Sequence, residues 1–600
     1  MAVLLLVAAG VSGATFALDE DSFEIVGDTD PFEVTWQLVE LEDDLWRLDL
    51  RLRSPRPAAP PEFTLRWRVP SIEIDAFWNP NIQIDRANFY RNRFTSRSTN
   101  QAPVFSLIDG SDRNRMTVGV SDALNRLELK SYLKEEDAYF YCEVKFFSED
   151  SPARIEYEVS LRLDGRPIHF AEALGGVANW WASDLEMTPA AVPDAARRPI
   201  YSTWYSFHQN LDPDAVLAEL EVAKTLGYEA VIVDDGWQTL DSSRGYAYAG
   251  DWQPERIPEM KAFVERVHEL GMDFLLWYSM PFVGEKAESY ASFEGKFLSY
   301  WESQGTYVLD PRYPEVREHI IATYETALRE WKVDGFKLDF LDRFVPGEAT
   351  ELTAAGGRDY ASVDAAVDRL MTDVLERLRQ IEPEIMIEFR QRYIGPLMRR
   401  YGNMFRAVDC PNNAIANRAE TTDLRLLAGN TAVHSDMVMW HPEDPVEHAA
   451  QQLLNVLFSV PQLSVRLTQL PDDHLEMVQF WTRYWIANRQ ILLDGEFVPS
   501  RPSAVFPILR AEGENKTVVG LYEEMVVQVS RADAALDVVN ATSGRTVVLR
   551  LGSDLGERDA VIFDAQGQEK ARHRMHLDGG LVEFEVPPSG LLSISGPVSP

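Results

Sequence analysis

The stretch Val333-Asp334-Gly335-Phe336-Lys337-Leu338-Asp339-Phe340 reads as a short buried strand carrying a base and an acid at its C-terminal end. Side chains alternate along a strand, so Lys337 and Asp339 share a face. Two charges on the inner face of a strand are costly to bury without a purpose. A cleft that uses an ionised carboxylate beside a cationic donor supplies one; a structural ion pair in the core is the plainer alternative. A second acidic strand end, Val231-Ile232-Val233-Asp234-Asp235-Gly236-Trp237-Gln238, comes earlier in the chain. Carboxylates accept pairs of sugar hydroxyls and indole faces cover the C–H faces of pyranose rings, so this combination suits a polyhydroxylated substrate.

These residues need a scaffold that brings distant strand ends together. Strand candidates recur at Ile200–Tyr205, Ala230–Asp234, Phe274–Tyr278, Gly335–Asp339, Ile385–Phe389, Met404–Val408, Thr431–Ser435 and Gln462–Arg466. Helical patterns follow nearly all of them, the first punctuated by Asp212 as N-cap, Pro213 in the first turn and Gly227 as terminator. Such alternation predicts a (β/α)8 TIM barrel over 196–500. A doubly wound open sheet is the alternative, but no Gly-rich phosphate turn follows the first strand. Residues 1–195 carry runs that alternate apolar with polar, such as Leu45-Trp46-Arg47-Leu48-Asp49-Leu50-Arg51-Leu52, and are expected to form a large all-β sandwich. Residues 501–600 return to short strands between Gly-, Asp- and Ser-rich turns, the pattern of a small antiparallel β-sandwich.

The C-terminal strand ends of such a barrel converge on one pocket. Those ends hold Trp204, Asp234, Asp235, Trp237, Trp277, Lys337, Asp339, Arg390, Asp409, His434 and Asp436. Asp339 is the candidate nucleophile, with Lys337 holding it ionised and donating to substrate. Asp409 ends a later strand and is the candidate general acid and base, although Asp423 and Asp436 compete on spacing alone. His434 is expected to be a hydrogen-bonded core residue and Cys410 a small apolar one. Nucleotide, metal and thiol chemistry lack their usual ligands, so neither cofactor nor metal is expected.

Composition narrows the partners. The formal charge of −37, from 58 basic and 95 acidic residues, argues against nucleic acid and anionic membranes. Two cysteines provide no disulfide framework, and no apolar run reaches membrane-spanning length. The apolar start Met1–Gly10, with Thr15-Phe16-Ala17 as a candidate cleavage site, lacks the basic residues of a secretory signal and reads equally well as a strand, leaving the compartment open. A homo-oligomer is compatible with the composition but not specified by it.

Taken in order, Val233-Asp234-Asp235-Gly236-Trp237-Gln238, Gly250-Asp251-Trp252, Leu270-Gly271-Met272, Leu276-Trp277, Val308-Leu309-Asp310-Pro311 and Lys337-Leu338-Asp339 resemble the α-galactosidases of glycoside hydrolase family 36. The resemblance implies a β-sandwich, a (β/α)8 barrel and a small β domain, with Asp339 as nucleophile and Lys337 on the sugar. It further implies that Asp234 and Asp235 bind the C4 and C6 hydroxyls. The family's acid/base is an Asp at a later strand end with an Arg shortly before it, and Arg406-Ala407-Val408-Asp409 is similar to that.

The chain departs from the family's common bacterial pattern at three places. A Cys and Gly-rich run beside the sugar's C2 position is replaced by Phe389-Arg390-Gln391-Arg392-Tyr393-Ile394-Gly395-Pro396. The acidic pair after the third-strand Trp is Tyr278-Ser279-Met280-Pro281, and Asp409 is followed by Cys410-Pro411-Asn412-Asn413. The expected activity is retaining, exo-acting hydrolysis of a terminal α-linked galactose on an oligosaccharide or glycoside, with Trp204, Trp237, Trp277, Arg390, Arg392 and Arg406 joining Asp234, Asp235 and Lys337 in binding. The alternatives are a galactosyl transferase of the raffinose-synthase type, an α-glycosidase for a related sugar, and a non-catalytic carbohydrate-binding protein.

Overall fold

A computed structural model of the protein describes residues 18–81, 86, 92–390, 392–529, 531 and 533–596. The ambiguous start, Met1–Ala17, lies outside them.

The N-terminal region is two antiparallel sheets face to face, of five and six strands. The long strand Leu45–Ala58 shows why: Leu48, Leu50 and Leu52 point into the sandwich, against Leu65, Trp67 and Val69 of Phe63–Pro70, while Arg51 and Arg53 face out. The stretch up to 195, expected to be β throughout, contains a helix at Phe170–Ser183. Its buried side chains Phe170, Ala173, Leu174, Val177, Ala178 and Trp181 recur at helical spacing. The helix lies between the sandwich strand Asn114–Val120 and the barrel helix Ala414–Ala428. Gly119 makes the approach possible, because a Cβ there would sit 2.4 Å from Val177 Cγ1.

The barrel strands are Ile200–Ser202, Ala230–Val233, Asp273–Ser279, Gly335–Asp339, Met386–Arg390, Met404–Arg406, Ala432–His434 and Gln462–Leu463, an eight-stranded parallel sheet in sequential order. They are numbered first to eighth below. The eighth pairs with the first, and single bridges from His434 to Val460 and Val438 to Leu463 bring the seventh against it. The strands are continuous apolar runs because helices cover the outside and side chains fill the inside. The helix Pro213–Leu226 begins where Asp212 accepts from the Asp214 and Ala215 N–H groups at 3.0 and 3.1 Å, and it stops at Gly227, φ 104°. Between the third and fourth strands a three-stranded antiparallel sheet, Phe282–Gly284, Thr306–Leu309 and Phe297–Trp301, rises over one side of the barrel mouth.

The C-terminal β domain begins at Glu496, where Glu496–Pro499 pairs with Ile508–Glu512. Its seven- and three-stranded sheets enclose a separate core of Val519, Val538, Val547, Leu549 and Leu592. Most pairings are antiparallel; Lys516–Leu521 with Ala535–Asn540, and Val526–Val529 with Thr546–Leu551, run parallel.

Asp423, one of the competing acids, lies where these parts meet. On the barrel helix Ala414–Ala428, it accepts from Trp78 Nε1 at 2.8 Å and pairs with Arg86, whose guanidinium covers the Phe506 ring. It is therefore a structural joint. Asp423→Ala, which removes the carboxylate from a buried guanidinium, is expected to lower stability by about 3–5 kcal/mol. The measurement is the denaturant midpoint, with Asp423→Asn falling between parent and Ala variant because its amide oxygen still accepts from Trp78.

Candidate functional site

At the end of the second strand, Asp234 receives the Lys337 ammonium at 2.5 Å. Its backbone N–H donates to Thr203 Oγ1 at 2.9 Å, tying the second strand to the first. Asp235 accepts from Gln209 and Gln238, both at 2.7 Å. The turn depends on Gly236, φ 115°, where a Cβ would meet Gln209 Cα at 2.5 Å. Burial pushes the Asp235 carboxyl up to about 6 against the two amide bonds, with the Asp234 and Asp339 charges adding to the rise.

Lys337 was expected to hold Asp339; its partner is instead Asp234. The reason is geometric: Lys337 and Asp339 are about 6.6 Å apart along the strand, whereas the barrel's curvature brings the second strand end within reach of the ammonium. The cation beside Asp339 is Arg390, from the end of the fifth strand, with Nε 2.9 Å from Asp339 Oδ1. Trp277 Nε1 donates to Asp339 Oδ2 at 3.3 Å and the Tyr393 hydroxyl to Oδ1 at 3.4 Å. The Phe340 N–H also donates to Oδ1, at 2.7 Å, because Phe340 takes a left-handed conformation, φ 65°, that turns the backbone back on the carboxylate.

The sixth strand ends at Arg406, three residues earlier than the extended reading, and Ala407–Asp409 leave it as a loop. The loop is held by Val408 N–H on Glu420 Oε2 at 2.7 Å and by Arg406 Nη2 on Asp409 Oδ1 at 2.8 Å. Arg406 is fully buried and also pairs with Asp436 and, at 3.6 Å, with Glu388. Asp436 accepts from the Tyr205 hydroxyl at 2.9 Å and the Cys410 N–H at 2.7 Å. Burial carries its carboxyl up to about 6 despite Arg406. Burial acts on Asp409 in the same sense, but Arg406, Lys337 and Arg390 outweigh it and hold that carboxyl well below the usual range. Of the three competing acids, Asp423 and Asp436 are 1% and 0% exposed, whereas the Asp409 side chain is 38% exposed. Arg390 Nη1 lies 4.0 Å from Asp409 Oδ2, so one guanidinium stands between Asp339 and Asp409.

The indoles divide. Trp204 is half-buried, edge-on to His208 at 4.6 Å, and open to a ligand. Trp277 reaches Asp339. Trp237, expected as a substrate wall, is fully buried: its N–H donates to the Trp277 carbonyl at 2.9 Å and its ring packs among Trp252, Tyr278 and Trp331. It braces Trp277 instead. Arg392 is exposed, and its carbonyl accepts from the Gln101 N–H of the sandwich at 2.6 Å; Gln391 lies outside the described residues. His434 is buried, with Nε2 2.8 Å from the Ala196 carbonyl oxygen, and burial pushes it down to about 4, as a neutral core residue.

Four residues were not anticipated. Tyr246 stacks on Trp277 and meets Phe340 edge-on, with Asp235 and Asp339 acting on its hydroxyl. Trp301 packs against Tyr246 and Phe340, and the Arg343 guanidinium lies 3.8 Å over its ring. They come from loops and the excursion sheet, where no periodicity marks them. Among the described residues, the one group whose ligand atoms converge as a metal would require, Asp554, His576 and Asp578, is exposed on the C-terminal domain. Among the described residues no helix is long and apolar enough to cross a membrane.

The chain is a TIM barrel between two β domains, with acids and indoles at the C-terminal mouth of the barrel. Residues 187–390 match the Melibiase family model. Over 230 residues the chain is 28% identical to an α-galactosidase of Escherichia coli, covering 37% of this chain and 31% of that one. It is 26% identical to α-galactosidase Mel36A of Lactobacillus acidophilus over 157 residues, 24% of this chain and 21% of the relative. The chain thus spans under a third of the length of these relatives. In structure, the GH36 α-galactosidase AgaA of Geobacillus stearothermophilus superposes over 97% of this chain and 84% of its own, with a TM-score of 0.63 at 16% identity. An α-galactosidase of Thermus thermophilus, solved with stachyose, covers 74% of this chain and 99% of its own, TM-score 0.51, at 17% identity. The likeness to family 36 α-galactosidases read from the motifs is borne out.

The raised Asp235 carboxyl gives a signed pH effect. Its folded-state proton affinity exceeds the unfolded one, so its contribution to stability is full below about pH 4 and is lost as pH rises through about 6. Asp235→Asn, which cannot titrate, is expected to lose less stability than the parent between pH 4 and 7, by about 1–3 kcal/mol. Denaturant unfolding of both proteins across that range measures it.

Proposed function

We propose that the protein is a retaining, exo-acting glycoside hydrolase that releases a terminal α-linked galactose. One observation carries the reading: Asp339, at the end of the fourth strand, and Asp409, in the loop after the sixth, flank a single guanidinium at 2.9 and 4.0 Å in the mouth of the barrel. Two carboxylates so disposed can act on opposite sides of one glycosidic bond. The sugar identity rests on the similarity to α-galactosidases.

In this reading an Asp339 oxygen attacks the anomeric carbon while Asp409 gives its proton to the departing glycosidic oxygen, leaving a glycosyl ester on Asp339. Asp409 then takes a proton from water, whose oxygen displaces Asp339 and frees the sugar with retained configuration. Asp234, Asp235 and Lys337 grip hydroxyls at the far end of the ring, and Trp204 and Trp277 face its C–H surface. At rest Asp409 is ionised, the form required for the second step. The first requires the acid, and a substrate that covers this half-exposed carboxylate strips its water and favours the proton.

Asp409→Asn is expected to slow hydrolysis of an alkyl α-galactoside by about 10²–10⁴-fold and an activated aryl α-galactoside much less, since a good leaving group needs no proton. A fluorinated α-galactoside that traps the ester should add one sugar mass to the peptide bearing Asp339. No adduct in active enzyme, or an adduct elsewhere, would overturn the assignment.

A further inference from the structure

Tyr393, in the loop after the fifth strand, is fully buried, and its hydroxyl meets more groups than the mechanism above uses. Two carboxylates compete for its one proton: Asp342 Oδ1 at 3.0 Å and Asp339 Oδ1 at 3.4 Å. Two donors turn to its oxygen, Arg390 Nη2 at 3.3 Å and the Phe340 N–H at 3.1 Å. Burial pushes the hydroxyl well above its ordinary range despite Arg390, so it keeps the proton to give. Asp342 is brought there by the left-handed Phe340, which starts the short helical turn Leu341–Arg343 directly behind the nucleophile.

Asp339 is held unequally. Oδ1 takes Arg390 Nε at 2.9 Å and the Phe340 N–H at 2.7 Å, whereas Oδ2 meets Trp277 Nε1 at 3.3 Å. Oδ2 is therefore the freer oxygen to attack, and Oδ1 becomes the carbonyl oxygen of the ester. Each donor on Asp339 stabilises its ionised form. That charge is lost as the ester forms, so a donor held more strongly at rest than in the transition state slows the first step. A third full hydrogen bond on Oδ1 would deepen that resting state.

We propose that Asp342 and Tyr393 are a positioning pair that keeps Asp339 nucleophilic: Asp342 draws the hydroxyl proton to itself and away from Asp339. The inference rests on the glycosidase reading above. With its proton on the Asp342 side, the hydroxyl turns its lone pairs to Arg390 and Phe340 and holds both donors at Oδ1. Asp342 thus acts on the nucleophile through Tyr393.

The test uses the full-length enzyme, Asp342→Asn, Tyr393→Phe and the double variant with the fluorinated α-galactoside. The rate at which the ester accumulates reports the first step, and the rate at which trapped enzyme regains activity reports the second. Asp342→Asn releases the hydroxyl proton to Asp339 and is expected to slow trapping by about 10-fold. Reactivation should be unchanged or faster, because the departing carboxylate now has the donor. In the Tyr393→Phe background the same substitution should change trapping by less than about twofold, since no hydroxyl proton is left to redirect. Equal slowing of both steps in Asp342→Asn would mark a plain charge effect and overturn the inference. An undiminished effect in Tyr393→Phe, or unaltered trapping, overturns it too, and each of these leaves the glycosidase reading intact. Thermal midpoints verify folding; should Tyr393→Phe not fold, the contrast between trapping and reactivation in Asp342→Asn alone decides. No adduct on Asp339 in the parent enzyme counts against the glycosidase reading itself, and the inference falls with it.

Discussion

The Arg406 guanidinium, buried under the barrel mouth, is shared by Asp409, Asp436 and Glu388. Burying a cation is unfavourable by several kcal/mol unless its donors are met by charge, and here carboxylates from the fifth strand, the sixth-strand loop and the segment after the seventh strand all converge on it. That convergence fixes where the loop carrying Asp409 can go. It also explains the early end of the sixth strand: once Arg406 faces inward to its partners, the backbone beyond it follows the Asp409 contact and the Val408–Glu420 bond out of the sheet. Asp409 is thus positioned by a charge cluster in the barrel floor and not by sheet geometry.

The other half of the mouth is organised by a second cross-barrel pair, Lys337 with Asp234. The two pairs divide the labour. Lys337 locks the second strand end to the fourth and leaves Asp339 to Arg390, Trp277 and the Phe340 N–H. Trp277 is held in turn by Trp237, so a residue with no access to solvent still governs the orientation of a group on the nucleophile. Each charge at the front of the site is set by a partner on a different strand, and the relative placement of the strands then becomes the precision of the site.

This arrangement explains what was legible in the sequence. Strands covered on both faces appear as short apolar runs, so all eight barrel strands could be located, with overshoots at the first, sixth and eighth, where the readings to Tyr205, Asp409 and Arg466 ran past sheet ends at Ser202, Arg406 and Leu463. Which charge meets which was not legible, because Lys337 and Asp234 become neighbours only when the barrel closes. Burial sorted the competing aspartates: nothing in the spacing distinguishes Asp423, tied to Trp78 and Arg86 of the sandwich, from Asp409. The helix Phe170–Ser183 was hidden by its context of strands and by Gly175 and Gly176 in its middle, although its apolar spacing is helical. Tyr246 sits on an irregular segment and Trp301 ends a strand of the sheet outside the barrel, so their place at the mouth follows from packing alone.

The shared guanidinium also couples the titration of the carboxylates around it. Asp436, with its proton affinity raised by burial to about 6, changes charge near neutrality. While it is protonated, Arg406 is left mainly to Asp409 and holds that carboxyl ionised. When Asp436 ionises, its charge competes for the same guanidinium and repels a second negative charge on Asp409, which makes the Asp409 proton easier to keep. The group behind the site therefore sets how far substrate binding has to shift Asp409 to make it an acid. A rigid dedicated ion pair could not provide that adjustment, whereas one arginine divided among three acids can.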